Sequence, residues 1–292
     1  MTTPFLRVLV VFHIFYRDQI PWFLHKLSHI SHCQWDMVVT GPEFYEEDKQ
    51  QILAFKPGTN FIVTENAGYD VWPFIQVLQQ TDLSRYDILV KLHTKGQTKG
   101  DTFHYGQYHF STRNWRDGLV NALLENNNRW KRILDIFQKK KEVGMVCCRK
   151  YIILSGMMPE DKELLEDEMK HLGIECADHH FCAGTMFAVR PQIFQPILMR
   201  GLAKEDFAAK QKSHSSGTLA HVYERIFGIL VTASGHSIYP IGYKKTFFLT
   251  QLYYAFIEPA MKWIFEINRD VHNRKYLRVL GFRFFLERPN TL

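Results

Sequence analysis

The chain has 292 residues, 46% of them hydrophobic and 23% charged, which is the balance of a globular protein and excludes a disordered chain or a small disulfide scaffold. Lys and Arg number 36 against 30 Asp and Glu, a formal charge of +6. That excess suits an anionic ligand or membrane surface but falls short of the dense basic stripe that nucleic acid requires, so no nucleic-acid partner is expected.

The elements follow in chain order. Leu6–Phe12 is a β-branched and aromatic run that predicts a buried strand. This run is too short for a signal-peptide core, and no stretch of about 18 uncharged apolar residues occurs anywhere. The expected location is therefore cytoplasmic, with any membrane contact peripheral. Ile20, Phe23, Leu24, Leu27 and Ile30 keep helical spacing; Asp36–Thr40 is a second strand, closed by Gly41-Pro42; Glu46–Phe55 is a helix. Asn60–Thr64 is a third strand with Asn66-Ala67-Gly68 as its turn, and Val71–Leu78 is a helix that tolerates Pro73 in its first turn. Asp87–Leu92 is a fourth strand. His93–Thr112, polar and carrying three glycines, is expected to be a loop. Trp115–Leu124 and Trp130–Phe137 read as helices, Val143–Cys148 as a strand, Lys162–Leu172 as a charged surface helix, Cys182–Val189 as a strand, and Gln192–Met199 and Gly217–Leu230 as helices.

Strand and helix alternate to about residue 150, so the expected fold is α/β, a mostly parallel Rossmann-type sheet with helices on both faces. Such sheets bind ligands at the carboxyl ends of their strands. The polar residues just past each strand are then the first candidates: His13, Thr40, Asn66, Gly68, Asp70, His93 and Lys95. Cysteine usage adds little. Cys33, Cys147, Cys148, Cys176 and Cys182 show no C-x-x-C spacing and fit a reducing compartment. His179-His180-x-Cys182 and His104/His109 lack structural zinc spacing, so no metal ligands are assigned.

Lys91-Leu92-His93-Thr94-Lys95-Gly96 is the strongest local feature. Alternation places Lys91, His93 and Lys95 on one side of an extended chain. A buried strand carries such groups only where a partner, a phosphate or an internal ion pair, matches them. After the third strand, Gly68 permits close backbone approach, and Asn66 and Asp70 can bind hydroxyls or cap the next helix. Cys182 to Pro191 joins small residues to an apolar strand that ends in Arg190, with a Pro-started helix behind it; Gly184 and Met186 there suit the close approach of a ring-shaped substrate, or plain packing. Ser216 to Arg225 opens a helix on which His221 stands one turn from Glu224 and Arg225; a buried Glu–Arg pair is the structural alternative.

In this order the segments resemble the rhamnan synthesis protein F family, glycosyltransferase-like proteins of bacterial surface polysaccharide assembly. The resemblance is carried by His13-Ile14-Phe15-Tyr16, Asn66 to Phe74, Tyr86 to Lys95, Trp115-Arg116 with Leu119, Ala183 to Pro191, and Ser216 to Arg225, over residues 6 to about 240. Two positions depart from the pattern: Ser216 stands where an Asp precedes Gly-Thr-Leu, and Tyr69 where an Arg is expected.

The resemblance implies a GT-A-like transferase domain over 1–242, with a donor half to about 150 and an acceptor half over 151–242. It implies a nucleotide-sugar donor, with dTDP- or GDP-rhamnose as candidates, and a growing lipid-linked glycan of O-antigen or rhamnan type as acceptor. Donor-binding residues would be His13, Tyr16, Thr40, Asn66, Gly68, Asp70, Lys91, His93, Lys95 and Arg116. Acceptor-binding residues would be Gly184, Met186, Arg190 and His221. Lys91-x-His93 takes the place of the usual Asp-x-Asp, so protein cations are expected to replace a divalent metal, with no cofactor. Inverting transfer needs one carboxylate base; Glu224 and Asp70 are the candidates, with Glu224 assigned as base and Asp70 as a sugar-hydroxyl ligand. A non-catalytic scaffold that binds a glycan or a partner transferase is the alternative.

Residues 243–292 lie outside the resemblance. Aromatics and cations interleave there, which predicts a helical extension. It could lie at a membrane surface, pack on the domain or form a dimer contact.

Overall fold

The computed structural model of the protein describes residues 5–96, 102–105, 108–111, 115–155, 161–175, 178–207, 217–242, 249, 252, 256–269 and 275–286. The chain divides into two units: Met1–Thr102 with Ser111–Gly242, and Phe103–Phe110 with Tyr243–Leu292. Ser216 lies outside the described residues.

The first unit is built on a seven-stranded sheet. Its strands are β1 (Arg7–His13), β2 (Gln34–Gly41), β3 (Asn60–Val63), β4 (Ile88–His93), β7 (Val143–Cys148), β10 (Phe187–Val189) and β11 (Ser237–Ile241), in the order β11-β7-β10-β4-β1-β2-β3. The pairs β1/β2, β1/β4, β2/β3 and β7/β11 are parallel, whereas β10 runs antiparallel to both β4 and β7. All six residues of β4 and all six of β7 are buried, as a strand covered on both faces must be.

Register shows which helix covers which face. Phe12 pairs with Leu92 on one face, and Phe23 of α1 (Ile20–Leu27) meets Phe12 at a ring-centroid distance of 4.7 Å. Lys91 pairs with Phe187 on the opposite face. There Phe187 packs with Phe74 of α3 (Val71–Gln80) and Phe227 of α8 (Leu219–Ala233), with Phe194 completing the cluster. Each such ring buries enough apolar area to contribute about 1.5–3 kcal/mol. The expected mostly parallel sheet with helices on both faces is what forms.

The remaining helices of this unit are α2 (Glu46–Phe55), α4 (Trp115–Leu124), α5 (Asn127–Lys139), α6 (Lys162–His171) and α7 (Gln195–Arg200). Two features differ from the sequence reading. Cys182–Val189 is not one strand. It splits into β9 (His180–Cys182), which pairs with β8 (Ile152–Leu154), and β10, with a turn between them in which Gly184 and Thr185 both have positive φ, +85° and +46°. Residues 93–112 are not all loop, because β5 (Thr102–Tyr105) and β6 (Tyr108–Ser111) pair as a hairpin.

In the second unit the expected helical extension is corrected. Besides most of the β5/β6 hairpin, its described residues include one short helix, α9 (Glu258–Ile264), and an antiparallel sheet of β12 (Phe265–Arg269), β13 (Lys275–Val279) and β14 (Phe282–Phe285). Aromatic and β-branched residues alternate with polar ones from Phe265 onward, and a period of two belongs to a strand. Among the described residues no helix is long and apolar enough to cross a membrane.

Candidate active site

Parallel register brings the ends of β1, β2 and β4 side by side: Thr40 pairs with His13, and His13 with His93. All three face the α3/α8 side, two residues on from Val11 and Lys91. Antiparallel β10 starts at this same edge, so the Gly184-Thr185 turn sits over Lys91 and His93. Asp70, just before α3, completes the group.

Asp70 does not cap its helix with its side chain. Its Oδ2 accepts from Lys91 Nζ and from Thr185 Oγ1 at 2.6 Å, and lies 3.7 Å from His93 Nε2. Lys91 Nζ also donates to Thr185 Oγ1 at 2.8 Å and to Thr185 O at 3.2 Å. A lysine only 1% exposed is thus matched internally by a carboxylate, a hydroxyl and a carbonyl, as a buried charge must be. Burial alone would raise the Asp70 pKa. In the acid range where His93 becomes charged, that charge, the Lys91 charge and the hydrogen bonds from Lys91 and Thr185 outweigh burial and hold it well below the usual carboxylate range.

The Gly184 peptide connects this group to Glu224. Its N–H donates to Glu224 Oε1 at 2.6 Å and its carbonyl accepts from His93 Nε2 at 2.9 Å. From Leu219 to Val231 every residue of α8 is buried except Glu224, which is half-buried. A Cβ on Gly184 would lie 2.8 Å from Leu119 Cδ1 and 2.9 Å from Trp115 Nε1, so only glycine fits this close approach. A β-branched residue at positive φ, as at Thr185, is uncommon and costs of order 1–3 kcal/mol. The bonds to Asp70 and Lys91 hold it there.

Burial pushes the His13 imidazole down to about 3 and that of His93 down to about 4, in both cases against the pull of Asp70. Both are neutral at physiological pH. His13 Nδ1 is bonded to Thr40 Oγ1 at 3.0 Å, so the fully buried Thr40 orients His13 rather than facing an opening. Burial also lowers Lys95, opposed by the charges of Asp70 and Glu224. Lys95 Nζ stands 3.5 Å from the centre of the Trp115 ring, a cation–π contact. Its backbone is held by Gln19, whose Oε1 accepts from Lys95 N at 3.2 Å and whose Nε2 donates to Lys95 O at 2.8 Å. Thr94 Oγ1 accepts from Phe15 N at 2.8 Å and Tyr16 N at 2.9 Å, tying the loop after β1 to the loop after β4.

The structure therefore brings His13, Asp70, Lys91, His93, Lys95, Gly184 and Glu224 into one constellation. Tyr16 is exposed and its hydroxyl lies at Gly96. Asn66 is exposed, and Gly68, with φ +60°, abuts Phe207. Arg116 bonds to Asp117 and stacks 3.9 Å from the Trp22 ring. His221 is mostly buried, bonded to Thr218 Oγ1 at 2.9 Å, and its ring lies 5.6 Å from that of Tyr69. Two expected acceptor residues are corrected. Met186 is fully buried. Arg190 lies at the opposite edge of the sheet, where its guanidinium binds the carbonyls of Val143, Phe137 and Lys140 at 2.8, 2.8 and 3.2 Å; β10 runs antiparallel and carries its far end away from the site. The buried Glu224–Arg225 pair does not form either: Arg225 pairs with Asp161 at 2.6 Å, both 1% exposed. Thr185 and Asp161 were not legible as partners in the sequence. The only local signal was a β-branched residue beside a glycine.

Asp70 Oδ2, the oxygen nearest the histidines, already holds the Lys91 amine, and among the described residues no three His, Cys, Asp or Glu side chains are grouped to hold one ion.

An open, mostly parallel sheet with polar residues gathered at the carboxyl ends of its strands is the α/β arrangement in which ligand sites commonly lie at those ends. The model of the rhamnan synthesis protein F family matches residues 2–236, and the chain belongs to that family. It is 28% identical over 177 residues to the uncharacterized protein WxcX of Xanthomonas campestris pv. campestris, a match covering 60% of this chain and 24% of that one. The chain thus spans about a quarter of the length of that relative. Among solved structures it is similar to the mannosyltransferase PcManGT from Pyrobaculum calidifontis in complex with GDP-Man and Mn2+, at 14% identity and a TM-score of 0.40, covering 82% of this chain and 55% of that one. It is also similar to the glycosyltransferase GlyE of Streptococcus pneumoniae, at 13% identity and a TM-score of 0.42, covering 89% and 50%.

Proposed function

We propose that the chain is a metal-independent, inverting glycosyltransferase of polysaccharide synthesis, taking its sugar from a nucleotide-activated donor. The observation that carries this reading is Glu224. It is the one incompletely buried residue between Leu219 and Val231 of α8, and it is joined through the Gly184 peptide to His93 at the strand ends.

In the proposed step Glu224 takes the proton of an acceptor hydroxyl. That oxygen forms the new bond to the anomeric carbon, and the bond to the donor phosphate breaks with its electron pair leaving on the nucleoside diphosphate. A single displacement with one base inverts the anomeric centre. Lys91 is already matched by Asp70 and His93 is neutral, so Lys95 is the cation assigned to the leaving diphosphate. Asp70 Oδ2 is engaged; its Oδ1 makes no bond among the described residues and is assigned to a sugar hydroxyl. Residues to about 150 would form the donor half and 151–242 the acceptor half, with Gly184 and His221 on the acceptor side. The family's description supports rhamnose as the sugar, and a growing lipid-linked glycan is the acceptor assigned to it.

Replacing Glu224 by Gln should abolish transfer while a nucleotide-sugar still raises the melting temperature. Wild-type turnover in that variant refutes the assignment. The second reading is a non-catalytic glycan- or partner-binding scaffold, and it is favoured by the internal match of Lys91 and Asp70. It predicts no melting shift with any nucleotide-sugar.

A further inference from the structure

The sheet of the second unit has two unlike faces. Register places Phe265, Val279 and Phe282 in one row across its three strands and Ile267, Leu277 and Phe284 in the next, all on one face. No polar residue interrupts those six. Phe282 is 72% exposed, Phe265 and Phe284 each 56% and Ile267 54%. The other face is mostly polar and paired within itself, with Phe285, which lies opposite Tyr276, as the apolar exception. Tyr276, buried there, donates to Glu266 Oε2 at 3.2 Å; Arg278 pairs with the same oxygen at 3.1 Å; and Arg283 stacks 5.0 Å from the Tyr276 ring. A sheet with one satisfied polar face and one bare apolar face has been built for a partner on the bare side.

Charge identifies that partner. Residues 243–292 hold nine Lys and Arg against four Asp and Glu, so +5 of the chain's +6 lies in its last fifty residues. A second copy would bring +5 against +5. A purely apolar protein surface would offer nothing to balance that net positive charge. The headgroup–acyl boundary of an anionic bilayer supplies both an apolar sink and negative charge. We propose that the Phe265/Phe282/Phe284 face of this sheet seats on an anionic lipid bilayer. The assignment is independent of the catalytic reading.

The test is flotation of the full chain with vesicles of phosphatidylcholine alone or mixed with phosphatidylglycerol. The chain should float with the mixed vesicles, release as salt is raised, and stay behind with phosphatidylcholine alone. The double substitution Phe282→Ser with Phe284→Ser, checked for an unchanged circular dichroism spectrum, should weaken partitioning at least about tenfold. A second readout needs no substitution. Trp263 of α9 is 57% exposed and is the one tryptophan of residues 243–292, so brominated acyl chains should quench part of the wild-type emission. Failure to float, flotation undiminished by the folded double variant, absence of quenching, or a lipid-free dimer that the double variant dissolves would each overturn the proposal; the last would assign the face to a second copy.

Discussion

Mild acid should destabilise the first unit well before its carboxylates titrate, and His13 and His93 are the reason. Burial holds their folded pKa values at about 3 and about 4, while an unfolded histidine titrates near 6.5. Between those limits the unfolded chain binds a proton at each site and the folded chain does not. Stability therefore rises with pH across the window, is fully present above about 6.5, and is lost as pH falls. From about pH 7 to about pH 5 each histidine costs about 2 kcal/mol, about 4 for the pair, set against a typical total of 5–15 kcal/mol. His221, lowered by its own burial, adds a loss of the same sign. At about 2–4 °C per kcal/mol for a domain of this size, the melting temperature should drop by roughly 8–16 °C. Circular dichroism melts across a pH series at fixed ionic strength measure it. A His13→Asn, His93→Gln double variant should melt lower at neutral pH but lose less on acidification, because neither replacement titrates. A flat wild-type profile over that window, or an equal slope in the variant, would refute the burial argument.

Thr185→Val keeps the shape of the side chain but removes the hydroxyl shared by Asp70 and Lys91, and should cost about 1–3 kcal/mol in urea unfolding. Arg225→Met should cost about 3–5 kcal/mol, because it leaves Asp161, 1% exposed, without its partner; a shift below about 1 kcal/mol in the same assay would show that the pair is relieved by other groups. Transfer should persist in EDTA and gain nothing from Mn2+ or Mg2+; activity lost to the chelator and restored by metal would return the diphosphate to a cation rather than to Lys95.

Much of the constellation at the strand ends is legible in the amino-acid sequence. His13, Thr40 and His93 can be gathered because β1, β2 and β4 are parallel neighbours, and the polar residue ending each strand must then lie at one edge. The Lys91/His93 alternation also survives, since a period of two is local backbone geometry. Their electrostatics do not follow. Two of the three expected cations are spoken for: Lys91 by Asp70, and His93 by a burial that keeps it neutral. Charge state depends on what long-range packing places within a few ångströms.

The amino-acid sequence by itself determined the elements whose period is unbroken: the five strands that end at His13, Gly41, Val63, His93 and Cys148, and the helices that cover them. The tertiary structure alone decided the direction of β10 and the break that precedes it. Alternation reads the same from either end of a strand, so nothing local reveals that β10 runs backwards. Yet that reversal sends Arg190 to the far edge and swings Gly184 and Thr185 over Lys91. The positive φ of both turn residues is stabilised by partners 40 to 115 positions away, Glu224 and Asp70. Contacts of that separation are settled only when the sheet closes.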